Sequence, residues 1–140
     1  EAVVIFTESL RARAAEMGFR RKRAAHLFSK MRFLSAQLET YLTDDLWLRN
    51  ARRANAMATR LAEGLGQMPG VSLAHPVEAN EIFPVLPAAL RDGLRADGFE
   101  FYDWPDAGPD GVRLICAFDT AEADIDAFLA SARRHASTAA

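Results

Sequence analysis

The sequence predicts an α+β chain in which long helices are joined to a small three- to four-stranded sheet covered by helices. Three observations carry that prediction. Trp47, Ala51, Ala54, Ala58, Leu61, Leu65 and Met68 recur at alternating spacings of four and three, which aligns all seven on one face of a helix. After Gly70 the period changes, and short apolar runs suited to strands appear at 71–74, 80–86, 99–102 and 112–118. Helical patterns at 88–96 and from Asp119 onward complete a β-β-α-β-β-α order over 71–135, a small sheet with helices on one side.

The continuous apolar run Ala2-Val3-Val4-Ile5-Phe6 reads as a buried strand of the kind found inside a sheet covered on both faces. Alone it has no neighbours, and no methionine opens the chain, so the expectation is a piece of something larger. Thr7 is a reasonable N-cap for a short helix through Met17, with Gly18 as its stop. Phe19 to Met68 then reads as two long helices with a polar hinge at Thr43-Asp44-Asp45. The first aligns Leu27, Met31, Leu34, Leu38 and Tyr41. The second is capped by Asp44 and stopped by Gly64, Gly66 and Pro69-Gly70. Leu27, Phe28, Phe33 and Leu34 spread apolar surface beyond one stripe, which predicts burial on several sides, as at a subunit interface.

In the second half, Pro84 favours an edge or a bulge within 80–86. Pro87 opens the helix at 88–96, with Leu90 and Leu94 inward and Gly98 beyond its end. Pro105 to Gly111 is a turn-rich loop. Asp119 and Glu122 have capping-box spacing ahead of a helix whose Ile125, Phe128 and Leu129 face inward. The small-residue tail from Ser131 is expected to fray.

At 140 residues, half of them apolar, the chain is long enough for one domain with a real core. No apolar run approaches the ~20 residues that span a membrane, and no signal peptide is visible; a cytoplasmic protein without a membrane partner is the expectation. The single cysteine, Cys116, excludes an intrachain disulfide and sits among apolar neighbours as a buried thiol. Charge is unevenly placed: residues 1–60 hold 12 basic against 6 acidic side chains, and residues 61–140 hold 5 against 13. Such a split suits nucleic acid, an anionic cofactor, or two faces that meet.

Few residues carry chemistry. His26, His75 and His135 are scattered without metal-ligand spacing, so no metal site is read. There is no nucleophile elbow, Gly-rich phosphate loop or CxxC pair. Arg20-Arg21-Lys22-Arg23 are consecutive and point round most of a helix, the pattern of a solvated face. A nucleic-acid-binding helical module is an alternative function, but nearby aromatics stand at core spacing, not as stacking platforms. Two arginines differ. Arg32 lies between Met31 and Phe33, and Arg113 lies inside the strand at 112–118 with apolar neighbours on both sides. Ile115 and Ala117 share the face of Arg113, which places it at the end of a buried face. A charge so placed is either paired with a carboxylate of the second half or offered bidentately to a carboxylate or phosphate ligand.

Several segments together resemble one family. EAVVIF, then FRRKRAAHLFSKMRFLSAQLETYLTDDLWLRNARRANAMATRLAEGL, HPVEANEIF, FYDW and VRLICAFDTAEADIDAF are similar, in order and over nearly the whole chain, to the C-terminal part of low-specificity L-threonine aldolases. These are fold-type-I pyridoxal-phosphate enzymes. The resemblance implies that residues 1–45 end the large cofactor-binding domain and include the first long helix, 46–69 form the connecting helix, and 70–140 form the small C-terminal domain. It implies a homo-oligomer that cleaves L-threonine or allo-threonine, a β-hydroxy amino acid, to glycine and acetaldehyde with pyridoxal 5′-phosphate. The cofactor lysine would precede Ala2–Phe6, so this chain alone would be inactive without the N-terminal part of the same enzyme. The family's arginine in its VRL strand, which holds the substrate carboxylate, matches Arg113. Its methionine-arginine pair, whose arginine is associated with the cofactor phosphate, matches Met31-Arg32, with Ser29-Lys30 standing where many relatives carry glycines. Another fold-type-I enzyme, a β-eliminating lyase or aminotransferase relative, is the nearer alternative.

Overall fold

The structure is a computed structural model that describes residues 5–137. It is α+β, as expected, and divides into two units, Glu1–Tyr41 and Leu42–Ala140. Of the strand expected over Ala2–Phe6, residues 2–4 lie outside the described residues, and Ile5 and Phe6 have no regular structure.

The first unit holds α1 (Glu8–Arg11), α2 (Ala14–Arg23) and nearly all of α3 (Met31–Leu42), and none of these helices buries a residue. Thr7 stands at the N-cap of α1 in an extended conformation but makes no side-chain cap bond. Gly18 does not stop a helix; it lies inside α2. The expected long helix from Phe19 is instead broken between Arg23 and Met31. His26 N–H donates to the Arg21 carbonyl and Ala25 N–H to the Lys22 carbonyl, with Ala25 left-handed at φ 57°. That is a Schellman ending, and it places four consecutive cations on the carbonyl end of the helix dipole. Leu27, Phe28, Met31, Phe33, Leu34 and Leu38 are exposed in this chain.

The second unit opens with a 3₁₀ turn at Thr43–Asp45, where Asp44 and Asp45 are both left-handed. Aspartate tolerates that region better than most residues, and the two together interrupt the right-handed backbone before α4 (Leu46–Gly66). Asp45, not Asp44, occupies the N-cap, without a side-chain cap bond. The apolar row of α4 is buried from Ala54 to Met68, joined by Met57 and Ala62, while Trp47 stays 43% exposed.

The strands are shorter than expected. β1 (Ser72–Leu73) pairs antiparallel with β3 (Pro84–Val85), and β2 (Glu81–Ile82), β5 (Val112–Ile115) and β4 (Tyr102–Asp103) form a second antiparallel sheet in the order β2-β5-β4. The single strand expected at 80–86 is therefore divided at Phe83 between two sheets, next to the proline that cannot donate to a ladder. Between β3 and β4 runs α5 (Ala88–Ala96), which ends at Gly98 in a second Schellman arrangement, with φ +91° and the Phe99 N–H on the Leu94 carbonyl.

The last helix, α6 (Glu122–Ser137), starts later than the Asp119–Glu122 spacing suggested: its reach-back contact is Asp124 Oδ2 accepting the Ala121 N–H at 3.1 Å. Its C-terminal half does not fray. Ser131 is buried and donates to Asp97 Oδ2 at 2.5 Å, and Arg134 and His135 bind the same oxygen at 2.8 and 3.0 Å. Three partners on one carboxylate oxygen tie α6 to the end of α5.

One core fills the space between α4, α5, α6 and the inner sheet face, with Leu65, Ile82, Leu86, Leu90, Leu94 and Val112 fully buried. Burying such a side chain contributes roughly 1.5–3 kcal/mol. Ile125, Phe128 and Leu129 face this core, and Cys116 is buried, which pushes its thiol pKa up. Among the described residues, no helix is long and apolar enough to cross a membrane.

Candidate carboxylate-binding cleft

Strand alternation decides what the three-stranded sheet offers to solvent. Val112 and Leu114 point into the core, so Arg113 and Ile115 occupy the opposite face. Ile115 is 52% exposed and Ala117 is exposed, which corrects the expectation that Arg113 ends a buried face. Arg113 stands on the open face with its side chain half-buried.

Its surroundings come from segments far apart in sequence. Register places Tyr102 opposite Arg113 and Glu81 opposite Ile115, both on the open face. Glu81 Oε1 accepts from Arg113 Nε at 3.1 Å and also from Nη2. Trp104 lies beneath the cation, its ring centroid 5.5 Å from the guanidinium carbon. Phe83 packs 5.5 Å from Trp104, and His75 meets Phe83 edge-on at 5.6 Å. Trp104 is held there by its loop: its N–H donates to the Gly111 carbonyl at 2.8 Å. A Cβ on Gly111 would sit 2.6 Å from the Trp104 carbonyl oxygen, so only glycine permits this approach.

A cleft of about 610 Å³ adjoins the arginine, lined among others by Phe101, Tyr102, Ile115, Asp124 and Phe128. It offers a planar cation among aromatic and other apolar side chains, a combination suited to a small molecule carrying a carboxylate. It offers no amine. The chain's lysines, Lys22 and Lys30, are exposed residues of the first unit, and neither lines the cleft.

Arg32, the other arginine singled out, is an exposed residue of α3 whose guanidinium lies 5.0 Å from the ring of Phe33. It belongs to the first unit and Arg113 to the second. His26 is exposed near the end of α2, whereas His135 is engaged with Asp97. Among the described residues no three His, Cys, Asp or Glu side chains are placed to hold a metal ion. Sequence reasoning missed Glu81, Phe83 and Trp104 as companions of Arg113. The signal available was their position in HPVEANEIF and FYDW, two of the segments that carried the resemblance.

No family model matches the chain. Individual proteins do. A low-specificity L-threonine aldolase of Pseudomonas aeruginosa is 44% identical over 120 residues, covering 86% of this chain and 33% of the relative. A second, from a Pseudomonas species, is 39% identical over 133 residues, covering 95% of this chain and 37% of the relative. This chain is a relative of the low-specificity L-threonine aldolases. It spans about a third of the length of those curated relatives. The solved threonine aldolase of Leishmania major superposes with a TM-score of 0.69 at 27% identity, over 76% of this chain and 31% of that one. The α+β architecture is thus one that threonine aldolase, a fold-type-I pyridoxal-phosphate enzyme, also contains.

Proposed function

We propose that this chain is the C-terminal part of an aldolase that cleaves L-threonine or allo-threonine to glycine and acetaldehyde, and that Arg113 anchors the substrate carboxylate. The observation that carries the reading is the placement of Arg113: a partly exposed side chain on an open sheet face, over Trp104, among the residues that line a cleft. Carbon–carbon cleavage demands that the bond to be broken stand in one orientation. A planar fork holding the carboxylate fixes the substrate about two axes, which a point charge cannot do. The cleft's apolar walls then exclude water from the end of the substrate that carries the side chain.

Pyridoxal phosphate, when bound in the whole enzyme, supplies the electron sink for the carbanion left by cleavage. Neither Lys22 nor Lys30 lines the Arg113 cleft, which supports a cofactor site completed by another part of the longer enzyme. The cofactor lysine belongs to another part of the longer enzyme, and this chain by itself is inactive. In the assembled enzyme, Arg32 neighbours the cofactor phosphate. The exposed apolar residues of α3 are covered there by the N-terminal part or by a second subunit of a homo-oligomer. Assaying the longer enzyme with L-threonine tests the reaction: glycine and acetaldehyde support it, whereas release of ammonia and a 2-oxo acid would assign another fold-type-I lyase instead.

A further inference from the structure

Resting on the reading that Arg113 takes the substrate carboxylate, we propose that Glu81 is the positioning residue for that arginine, fixing its guanidinium so that the outer Nη1/Nη2 edge faces the substrate. A guanidinium carries five N–H donors. Glu81 Oε1 takes the inner edge, with Nε at 3.1 Å and Nη2 on the same oxygen. Three N–H groups remain, two on Nη1 and one on Nη2. Only the Nη1/Nη2 edge still presents two parallel donors, the pair a carboxylate accepts bidentately. Trp104, 5.5 Å away, restrains the plane of the cation, and Glu81 restrains rotation within that plane.

The sheet builds this arrangement. Glu81 is paired with Ile115 on β5, one pleat along from Arg113 and on the same face, so the two side chains meet diagonally. Both side chains are partly exposed, and with Glu81 on the inner edge a carboxylate on the outer edge would not have to expel it. The negative charge of Glu81 weakens the attraction of Arg113 for a second carboxylate. Its contribution is therefore to orientation, which appears in kcat, rather than to affinity, which appears in KM.

The test uses the longer holoenzyme with Glu81→Ala, Glu81→Gln and Arg113→Ala. It measures kcat and KM for L-threonine, and the Kd ratio of glycinamide to glycine by calorimetry. Glu81→Ala is expected to lower kcat about tenfold without raising KM and, because a neighbouring negative charge is removed, not to lower the glycinamide/glycine ratio. Glu81→Gln is expected to recover most of kcat, because its amide oxygen still accepts from Nε and Nη2. A lower KM at unchanged kcat in Glu81→Ala would mean that Glu81 merely competes with substrate, and would overturn the proposal. A lower Tm with kcat, KM and the Kd ratio intact would reduce Glu81 to a structural ion pair and overturn it as well. If Arg113→Ala itself leaves both constants unchanged, the underlying carboxylate assignment fails. A defect in Arg113→Ala without one in Glu81→Ala defeats the positioning role alone.

Discussion

Gly64→Ala is a sensitive test of how α4 and α6 pack in the second unit. A Cβ at Gly64 would meet Leu129 Cδ1 at 2.4 Å, Cδ2 at 2.7 Å and Cγ at 3.1 Å. Two effects compete. Alanine in a helix interior is favoured over glycine by about 1 kcal/mol, whereas overpacking a core costs ~1–3 kcal/mol. Leu129 is 5% exposed and Cγ itself is too close, so rotating its methyl groups away does not relieve the contact. The overpacking term wins, and the net loss should be up to about 2 kcal/mol. Leu129→Ala alone should cost ~2–5 kcal/mol. In that background the clash is gone, so adding Gly64→Ala should stabilise by up to about 1 kcal/mol. Urea unfolding of the four proteins, followed by far-ultraviolet circular dichroism, gives the double-mutant cycle. A stabilising Gly64→Ala in the presence of Leu129, or the same effect in both backgrounds, would refute the packing argument.

Further outcomes follow from other parts of the structure. Asp97 is held down to about 2 from 3.8 by hydrogen bonds from Ser131, His135 and Arg134. Its folded-state value lies below its unfolded one, so its contribution is full above the unfolded value and is lost as pH falls toward about 2; Asp97→Asn should flatten the acid limb of stability against pH, and an unchanged limb would contradict this. Gly18 lies within α2 with nothing within 4 Å of an added Cβ, whereas Gly98 sits at φ +91°. Gly18→Ala should therefore raise helicity, and Gly98→Ala should destabilise by about 1 kcal/mol, with equal effects in circular dichroism and urea unfolding arguing against both assignments. The isolated chain should self-associate or bind a hydrophobic dye through the exposed residues Leu27, Phe28, Phe33 and Leu34; a dye-free monomer in sedimentation would count against that interface.

Much of the second unit was legible because local signals and burial agree there. The α5 helix carries a proline before it, two inward leucines and a glycine in the left-handed position after it, and the structure uses all of them. The apolar row of α4 gave its buried face from Ala54 onward. The first unit was less legible. Its helix break uses Ala25 in a conformation that ordinarily selects glycine, and no glycine or proline marks the place. Likewise, the tail from Ser131 looked too small and polar to pack, yet the Asp97 carboxylate, 34 residues away, anchors it. The cleft was half legible. An arginine in an apolar strand is visible in sequence, but whether its neighbours are core or solvent depends on which sheet face is covered. The diagonal placement of Glu81 depends on a register no single segment reveals.

The most direct test of the account is the activity of Arg113 variants in the longer enzyme. With the carboxylate fork removed, Arg113→Ala should lower kcat/KM for L-threonine by at least ~100-fold, about 2.7 kcal/mol of transition-state stabilisation. Arg113→Lys should recover little of it, since an ammonium cannot make two parallel hydrogen bonds. A well-folded Arg113→Ala enzyme with near-normal kcat/KM, destabilised only by the loss of its Glu81 partner, would make the arginine a structural ion pair and contradict the account.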